Sequence, residues 1–247
     1  MNELEKKLNV LCKEFNLSID DNQFKNLLIY INYVMEIGLK QNLVSKARLS
    51  FFIEDQIADA FTLANVLDDY CPVVPIDTFN LVDIGTGAGL PGLVLAILRP
   101  DFKVTLLDSN QKKIKFLNLV VNDLTIPNKP KVILGRAEET AHNLAYRDKF
   151  DLATIRAVAS LKISIELALP FLKVNGLFLG QKSAIKLDDE IVESQDIMDV
   201  LYVKQMSIKD AYADPSVKQH KIIVLSKTKS TPKMYPRKWK NIITPYF

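Results

Sequence analysis

Cysteine and histidine are nearly missing from this chain, with two of each among 247 residues. Cys12 and Cys71 lie far apart without motif spacing, which excludes a disulfide framework and a zinc knuckle. No metal site is expected. His142 and His220 have no evident nucleophile beside them in the pattern, so neither is given a catalytic role. No run approaches the ~18 apolar residues that a membrane span requires, and Met1-Asn2-Glu3-Leu4-Glu5-Lys6-Lys7 lacks the basic-then-apolar order of a secretory signal. A cytoplasmic protein without a membrane partner is expected. The hydrophobic share of 48% with 25% charged residues suits one sizeable soluble core with a modest extension.

Acidic residues are also missing, but only locally. From Pro215 to Phe247 there is no Asp or Glu, against eight bases, among them Lys233, Arg237, Lys238 and Lys240. The preceding 214 residues hold 24 bases against 29 acids, a net charge of −5 within an overall +3. A basic end on an acidic body fits a polyanion contact confined to one edge, or simply a solvated tail. Tyr235, Trp239, Tyr246 and Phe247 interleave with the bases, and aromatic faces beside cations suit unstacked RNA bases. Lys233, Arg237, Lys238 and Lys240 are therefore RNA-binding candidates.

Glycine is sparse too, eight in all, yet three of the eight alternate in Asp83-Ile84-Gly85-Thr86-Gly87-Ala88-Gly89. They follow the apolar Leu81-Val82 and precede the helical pattern 91–98, with Pro91 near its first turn. Glycines joining a buried strand to a helix N-terminus mark the nucleotide-like ligand site of an α/β sheet. Gly87-Ala88-Gly89-Leu90-Pro91-Gly92 also satisfies G-x-G-x-x-G, a weak signal by itself. Asp83 distinguishes the ligands: a carboxylate suits a sulfonium and an ammonium better than a pyrophosphate. S-adenosylmethionine is the expected cofactor, held by Asp83, Gly85, Gly87, Gly89 and Leu90. A second strand, Val104–Leu107, ends at Asp108, placed to accept ribose hydroxyls or, in the plainer reading, to cap the following helix.

The rest of the chain alternates. Strands are expected at Leu81–Ile84, Val104–Leu107, Lys131–Leu134, Phe150–Ile155 and Gly176–Gln181, with helices at 91–98, 110–124, 138–145 and 160–171. Such alternation implies a parallel sheet with right-handed crossovers. After a helix near Leu187–Val200, Leu201–Ile208 and Lys221–Ser226 have no helix between them and should pair antiparallel. Ahead of the sheet, three apolar stripes read as packing helices: Leu4 to Phe15, Phe24 to Leu39 and Ile53 to Leu67, with Asp20 and Gln23 in capping-box spacing. Pro72 and Pro75 mark the link. The expected domains are a helical extension 1–75, a methyltransferase core 76–228 and a basic tail 229–247.

Arg156 ends the fourth strand at the carboxyl edge, where it can clamp a carboxylate or phosphate, or merely pair with a neighbouring acid. Lys182 ends the fifth strand and is a candidate for substrate phosphate, or a plain exposed lysine. Ala137 and Glu138, after the third strand, can read an adenine edge through an N–H and a carboxylate. Glu138 has the alternative of a first-turn helix acid.

Several runs together resemble the RsmG (GidB) family of bacterial small-subunit rRNA guanine-N7 methyltransferases. The resemblance rests on Asp83 to Gly92, on Leu107-Asp108-Ser109 with Lys112-Lys113, and on Arg136-Ala137-Glu138-Glu139. It continues in Arg156-Ala157-Val158-Ala159-Ser160-Leu161, Lys182, and Thr231-Pro232-Lys233-Met234-Tyr235-Pro236-Arg237-Lys238. It covers about residues 27–238. Departures fall at Asn42-Leu43-Val44, Asp55-Gln56 and Trp239-Lys240. The resemblance implies a class I S-adenosylmethionine-dependent fold, mostly parallel with an antiparallel last strand. It also implies methyl transfer to guanosine N7 of 16S rRNA, with free small-subunit rRNA or an assembling ribosomal particle as partner. It strengthens Arg156 as a cofactor-binding residue. Attack by N7 removes no proton, so alignment and water exclusion suffice, and no acid–base residue is named. Two other readings stand beside it: an NAD-dependent oxidoreductase, and a non-enzymatic RNA-binding module with a vestigial pocket.

Overall fold

Asn2 and Asp20 start the first two helices in the same way. Each side chain accepts the backbone N–H three residues on, while Glu5 and Gln23 reach back to the cap. The computed structural model describes residues 2–38, 51–71, 79–212 and 219–244. Leu39, Asn42-Leu43-Val44, Pro72, Pro75, Tyr246 and Phe247 lie outside the described residues. Helix α1 is Glu3–Glu14 and α2 is Asp21–Tyr33, continued by a π-helical turn Val34–Gly38. A second π turn, Phe52–Ile57, runs into α3, Ala58–Asp68.

The strands are β1 (Asn80–Ile84), β2 (Lys103–Asp108), β3 (Lys131–Leu134), β4 (Phe150–Arg156), β5 (Leu172–Ser183), β6 (Val203–Asp210) and β7 (His220–Lys227). They lie in the order β3-β2-β1-β4-β5-β7-β6. Pairs β2·β3, β1·β4 and β4·β5 are parallel, while β7 runs antiparallel to both β5 and β6. The expected antiparallel final pair is present. A dinucleotide-binding sheet built of parallel βα units would not insert its last strand this way.

The helices between are α4 (Gly92–Leu98), α5 (Gln111–Asp123), α6 (Ala137–Thr140), α7 (Leu161–Ala168), α8 (Ala184–Glu193), α9 (Gln195–Val200) and α10 (Trp239–Ile242). Every residue of α4 is buried, as expected for a helix apolar on all sides. Two helical expectations are corrected. The segment 138–145 forms only one turn of helix before Asn143 caps the following turn through Ala145 N–H. The segment 187–200 is two helices, because Ser194 ends α8 and its carbonyl begins α9.

The chain divides into two compact units, residues 1–78 with 86–134 and residues 79–85 with 135–247. In the first, α2 is fastened to the sheet-side elements by polar bonds. Gln23 Nε2 caps the end of α4 at Leu98 O (2.9 Å), and buried Asn26 exchanges bonds with both backbone groups of Thr125. In the second, Phe178, Leu179 and Ile222 to Leu225 form the wholly buried centre of β5 and β7. Among the described residues no helix is long and apolar enough to cross a membrane.

Candidate cofactor and RNA site

The strand order reverses between β1 and β4, which places the ligand end of this sheet at the carboxyl ends of those strands. Asp83 lies there, fully buried, opposite Thr154 in register, and accepts the Thr154 hydroxyl at 3.0 Å. Gly85 follows at φ +70; a Cβ on it would stand 2.6 Å from Val158 Cγ2. Glycine is required at this position by both conformation and space.

In the first unit the loop is equally determined. Gly87 and Gly89 have φ +62 and +106. Thr86 N–H bonds Leu107 O at 3.1 Å, while Thr86 O accepts the amides of Gly89 and Leu90. Tyr30 of α2, wholly buried, donates its hydroxyl to Ala88 O at 3.1 Å, so the N-terminal helices hold the loop directly. Asp108 is 6% exposed at the end of β2 and accepts Gly87 N–H (2.9 Å) and Asn110 N–H (2.8 Å). Lys113 Nζ stands 3.4 Å away. The cap of α5 is Asn110, which accepts the amides of Lys112 and Lys113. The helix-capping alternative for Asp108 therefore fails, since that role is filled two residues later.

The loop keeps one polar group to spare. Thr86 Oγ1, beside the glycines, is buried without a hydrogen-bond partner among the described residues. Glu138 is 9% exposed on α6, and its carboxylate bonds to none of the described residues. A carboxylate there can accept from an adenine amine. Ala137 precedes it, half-buried. Leu90 is buried at the loop's end.

Arg156 closes β4, paired in register with Gln181, and is half-buried. Immediately after it Ala157 takes φ +54, a left-handed conformation that a residue with a Cβ adopts at a cost. Lys182 is neither plainly exposed nor free. Its side chain is 11% exposed, and Nζ bonds Ala159 O at 2.7 Å and Glu190 Oε2 at 3.0 Å.

The basic end separates into two kinds of cation. Lys227 is wholly buried, paired with Asp148 and bonded to Leu169 O and Leu172 O; burial pushes its ammonium below the usual lysine value. Arg237 is engaged by the buried Glu166. Lys233, Lys238 and Lys240 are exposed and have no acidic partner among the described residues. Tyr235 is 7% exposed, which removes it from the aromatic faces offered to RNA; Trp239 remains half-exposed.

The sequence pattern did not indicate Arg147, although it organises this end. Its guanidinium donates to Tyr235 O (2.8 Å), Thr231 O (3.0 Å), Pro232 O (3.2 Å) and Ala141 O (3.3 Å). His142 Nε2 adds a 2.8 Å bond to Pro236 O. Backbone carbonyls carry no sequence signature, so no pattern could have pointed to this clamp.

Comparison with known proteins agrees with this geometry. The family model described as GidB, rRNA small subunit methyltransferase G, matches residues 23–222. A Clostridium botulinum (strain Loch Maree / Type A3) protein named Ribosomal RNA small subunit methyltransferase G is 35% identical over 228 residues, covering 92% of each chain. One of the same name from Fusobacterium nucleatum is 37% identical over 226 residues, again covering 92% of each. Among solved structures, a mutant MtNAS in complex with S-adenosylmethionine superposes with TM-score 0.54 at 12% identity, over 93% of this chain and 100% of that one. A fibrillarin/Nop5p complex chain gives 0.51 at 16%, over 70% and 83%. These two show likeness of fold.

Proposed function

Because the chain belongs to the GidB family, rRNA small subunit methyltransferase G, we propose that it transfers a methyl group from S-adenosylmethionine to N7 of a guanosine in 16S rRNA. The observation that carries this reading is the glycine loop held by Asp108: Gly87 and Gly89 at positive φ, with Gly87 N–H on the buried Asp108 carboxylate at 2.9 Å. Asp83, Gly85, Gly87, Gly89, Leu90, Asp108, Ala137, Glu138 and Arg156 would hold the cofactor. Asp108 would offer carboxylate oxygen to the ribose hydroxyls, Glu138 to the adenine amine, and Arg156 a guanidinium to the methionine carboxylate. Buried Asp83 places a carboxyl group at the end of β1, a group that suits a cationic ligand.

S-adenosylmethionine, once bound, supplies a methyl on a sulfonium that is already a good leaving group. Guanine N7 carries an in-plane lone pair and loses no proton on attack. The residues therefore need only orient the base and exclude water. That demand suits a site in which neither histidine is near the loop in sequence and no acid–base pair is needed. The exposed Lys233, Lys238 and Lys240 would contact rRNA phosphates, with the half-exposed Trp239 beside them. Small-subunit rRNA, free or in an assembling particle, is the partner this reading implies, and the cytoplasm its place.

Mass analysis of 16S rRNA nucleosides from cells with and without the protein tests the proposal. Loss of N7-methylguanosine on deletion, restored by the intact gene, is the expected result. An unchanged nucleoside profile would refute it.

A further inference from the structure

The turn between β4 and α7 is held from outside by two side chains distant in sequence. Glu190 of α8 accepts the Leu161 N–H at 2.6 Å through Oε2, and Lys182 of β5 binds that same oxygen at 3.0 Å. Lys182 also takes Ala159 O at 2.7 Å. One ion pair thus grips both a carbonyl and an amide within three residues. The Ser160 side chain makes no capping bond, so the Glu190 carboxylate serves the first turn of α7 in its place, where a negative charge is favourable.

The gripped turn has a reason to need support. It begins with Arg156 and the left-handed Ala157. Val158 is 39% exposed, yet its Cγ2 lies only 2.6 Å from the point a Gly85 Cβ would occupy. The left-handed backbone of Ala157 is strain that persists only where the surroundings over-determine it. The pair is mostly buried, with side chains 11% and 22% exposed, so it is screened less than a surface bridge.

We propose that Lys182 and Glu190 form a brace that sets the Arg156–Val158 turn, making both of them positioning residues for methyl transfer. This rests on the methyltransferase reading and changes the part Lys182 plays in it. A lysine bonded to Ala159 O and Glu190 is not the phosphate contact its strand-end position suggests. Its charge serves the geometry of the turn that carries Arg156.

The variants Lys182→Met, Glu190→Gln, the double variant and Lys182→Arg test this. Glu190→Gln keeps an acceptor for Leu161 N–H, so it remains folded if the lysine change does not. Lys182→Met and Glu190→Gln should each lower the single-turnover rate at saturating cofactor and rRNA at least tenfold. The double variant should be no slower than the worse single, because the two act as one unit. Lys182→Arg should recover most of the rate, and the salt dependence of rRNA binding should stay at the wild-type slope.

A Lys182→Met slope reduced by ~0.7–0.9, with tighter rRNA binding by Glu190→Gln, would make Lys182 a phosphate contact and overturn the brace. So would folded variants with the wild-type rate, or rate losses that merely follow the melting temperature. Amide exchange at 157–161 is independent of activity and must quicken in both single variants. If it does not, the brace is wrong; if it does while the wild-type protein leaves rRNA unmethylated, only the functional reading fails.

Discussion

Arg237 and Glu166 meet as a two-pronged pair: Nε lies 2.8 Å from Oε1 and a terminal nitrogen 2.6 Å from Oε2. The Arg237 backbone N–H adds a third bond to Oε1 at 2.9 Å. Glu166 is 1% exposed in α7, so its charge is compensated almost entirely by this one residue of the chain's end. The segment from Thr231 to Arg237 is therefore part of the fold, held at one end by Glu166 and along its length by Arg147. An arginine that looks like an RNA contact in the sequence is an anchor in the structure.

Removing one member of such a pair strands the other charge. Arg237→Ala should lower unfolding stability by about 3–5 kcal/mol, measured by denaturant titration. Glu166→Gln, which keeps the shape and one acceptor, should cost less. A decrease below ~1 kcal/mol for Arg237→Ala, the range of an exposed pair, would show that the tail is not anchored there.

Ligand-induced stabilisation separates the two nucleotide-like cofactors. At a hundredfold excess over its Kd, a ligand that binds only the folded state adds ~2.7 kcal/mol. For a chain of this size that is a rise in melting temperature of roughly 5–10 °C. S-adenosylmethionine should produce it and NAD should not. Stabilisation by NAD alone would return the loop to the dehydrogenase reading.

The loop itself gives a sharper test. Gly87 sits at φ +62 with its N–H on Asp108. Gly87→Ala should cost ~1–2 kcal/mol from the left-handed backbone and should also weaken cofactor binding. Asp108→Asn keeps the shape but removes the charge that strengthens bonds to ribose hydroxyls, so affinity should fall about 10–100-fold, as for ~1.5–3 kcal/mol. Calorimetry on the folded variants reads both. Wild-type affinity in Asp108→Asn would mean that this carboxylate serves only Gly87 and Asn110.

Cys12 predicts a pH dependence. Burial pushes its thiol up from 9.0 to about 11. In the unfolded chain the thiolate forms near pH 9, while the fold keeps the thiol protonated to about pH 11. The unfolded state then binds fewer protons over that window, so stability falls as pH rises through it and is intact below. Melting temperature should decline between pH 9 and 11 less steeply in Cys12→Ala than in the wild type. Parallel curves would show that Cys12 does not titrate differently in the two states.

The loop and the strand positions were legible because their signals are local. Three glycines need positive φ, and an apolar run ending in Asp83 or Asp108 can be read as a strand end without knowing its neighbours. The roles of Lys182, Arg237 and Tyr235 were not legible, because each is decided by a partner far along the chain or by burial. Charge alone made Lys182 and Arg237 look available for phosphate. Glu190 and Glu166, which occupy them, carry no pattern that announces it. The one-turn α6 was overread for a related reason, since 138–145 has helix-forming residues but little apolar face to pack.

The same distinction sharpens the expectation for RNA. Of the RNA candidates at the chain's end, Arg237 is committed to Glu166, whereas Lys233, Lys238 and Lys240 are exposed and without acidic partners among the described residues. Removing one phosphate-binding cation reduces the slope of log affinity against log salt by ~0.7–0.9. Neutralising these three lysines together should therefore lower the slope by about 2–3 and weaken rRNA binding, with cofactor affinity and melting temperature unaltered. Arg237→Lys with the lysines intact should leave the slope nearly at its original value, since it does not remove a phosphate contact. Fluorescence titrations of a small-subunit rRNA fragment across a salt series measure both. If the triple variant keeps the wild-type slope, the exposed lysines are a solvated face and rRNA is held elsewhere on the protein.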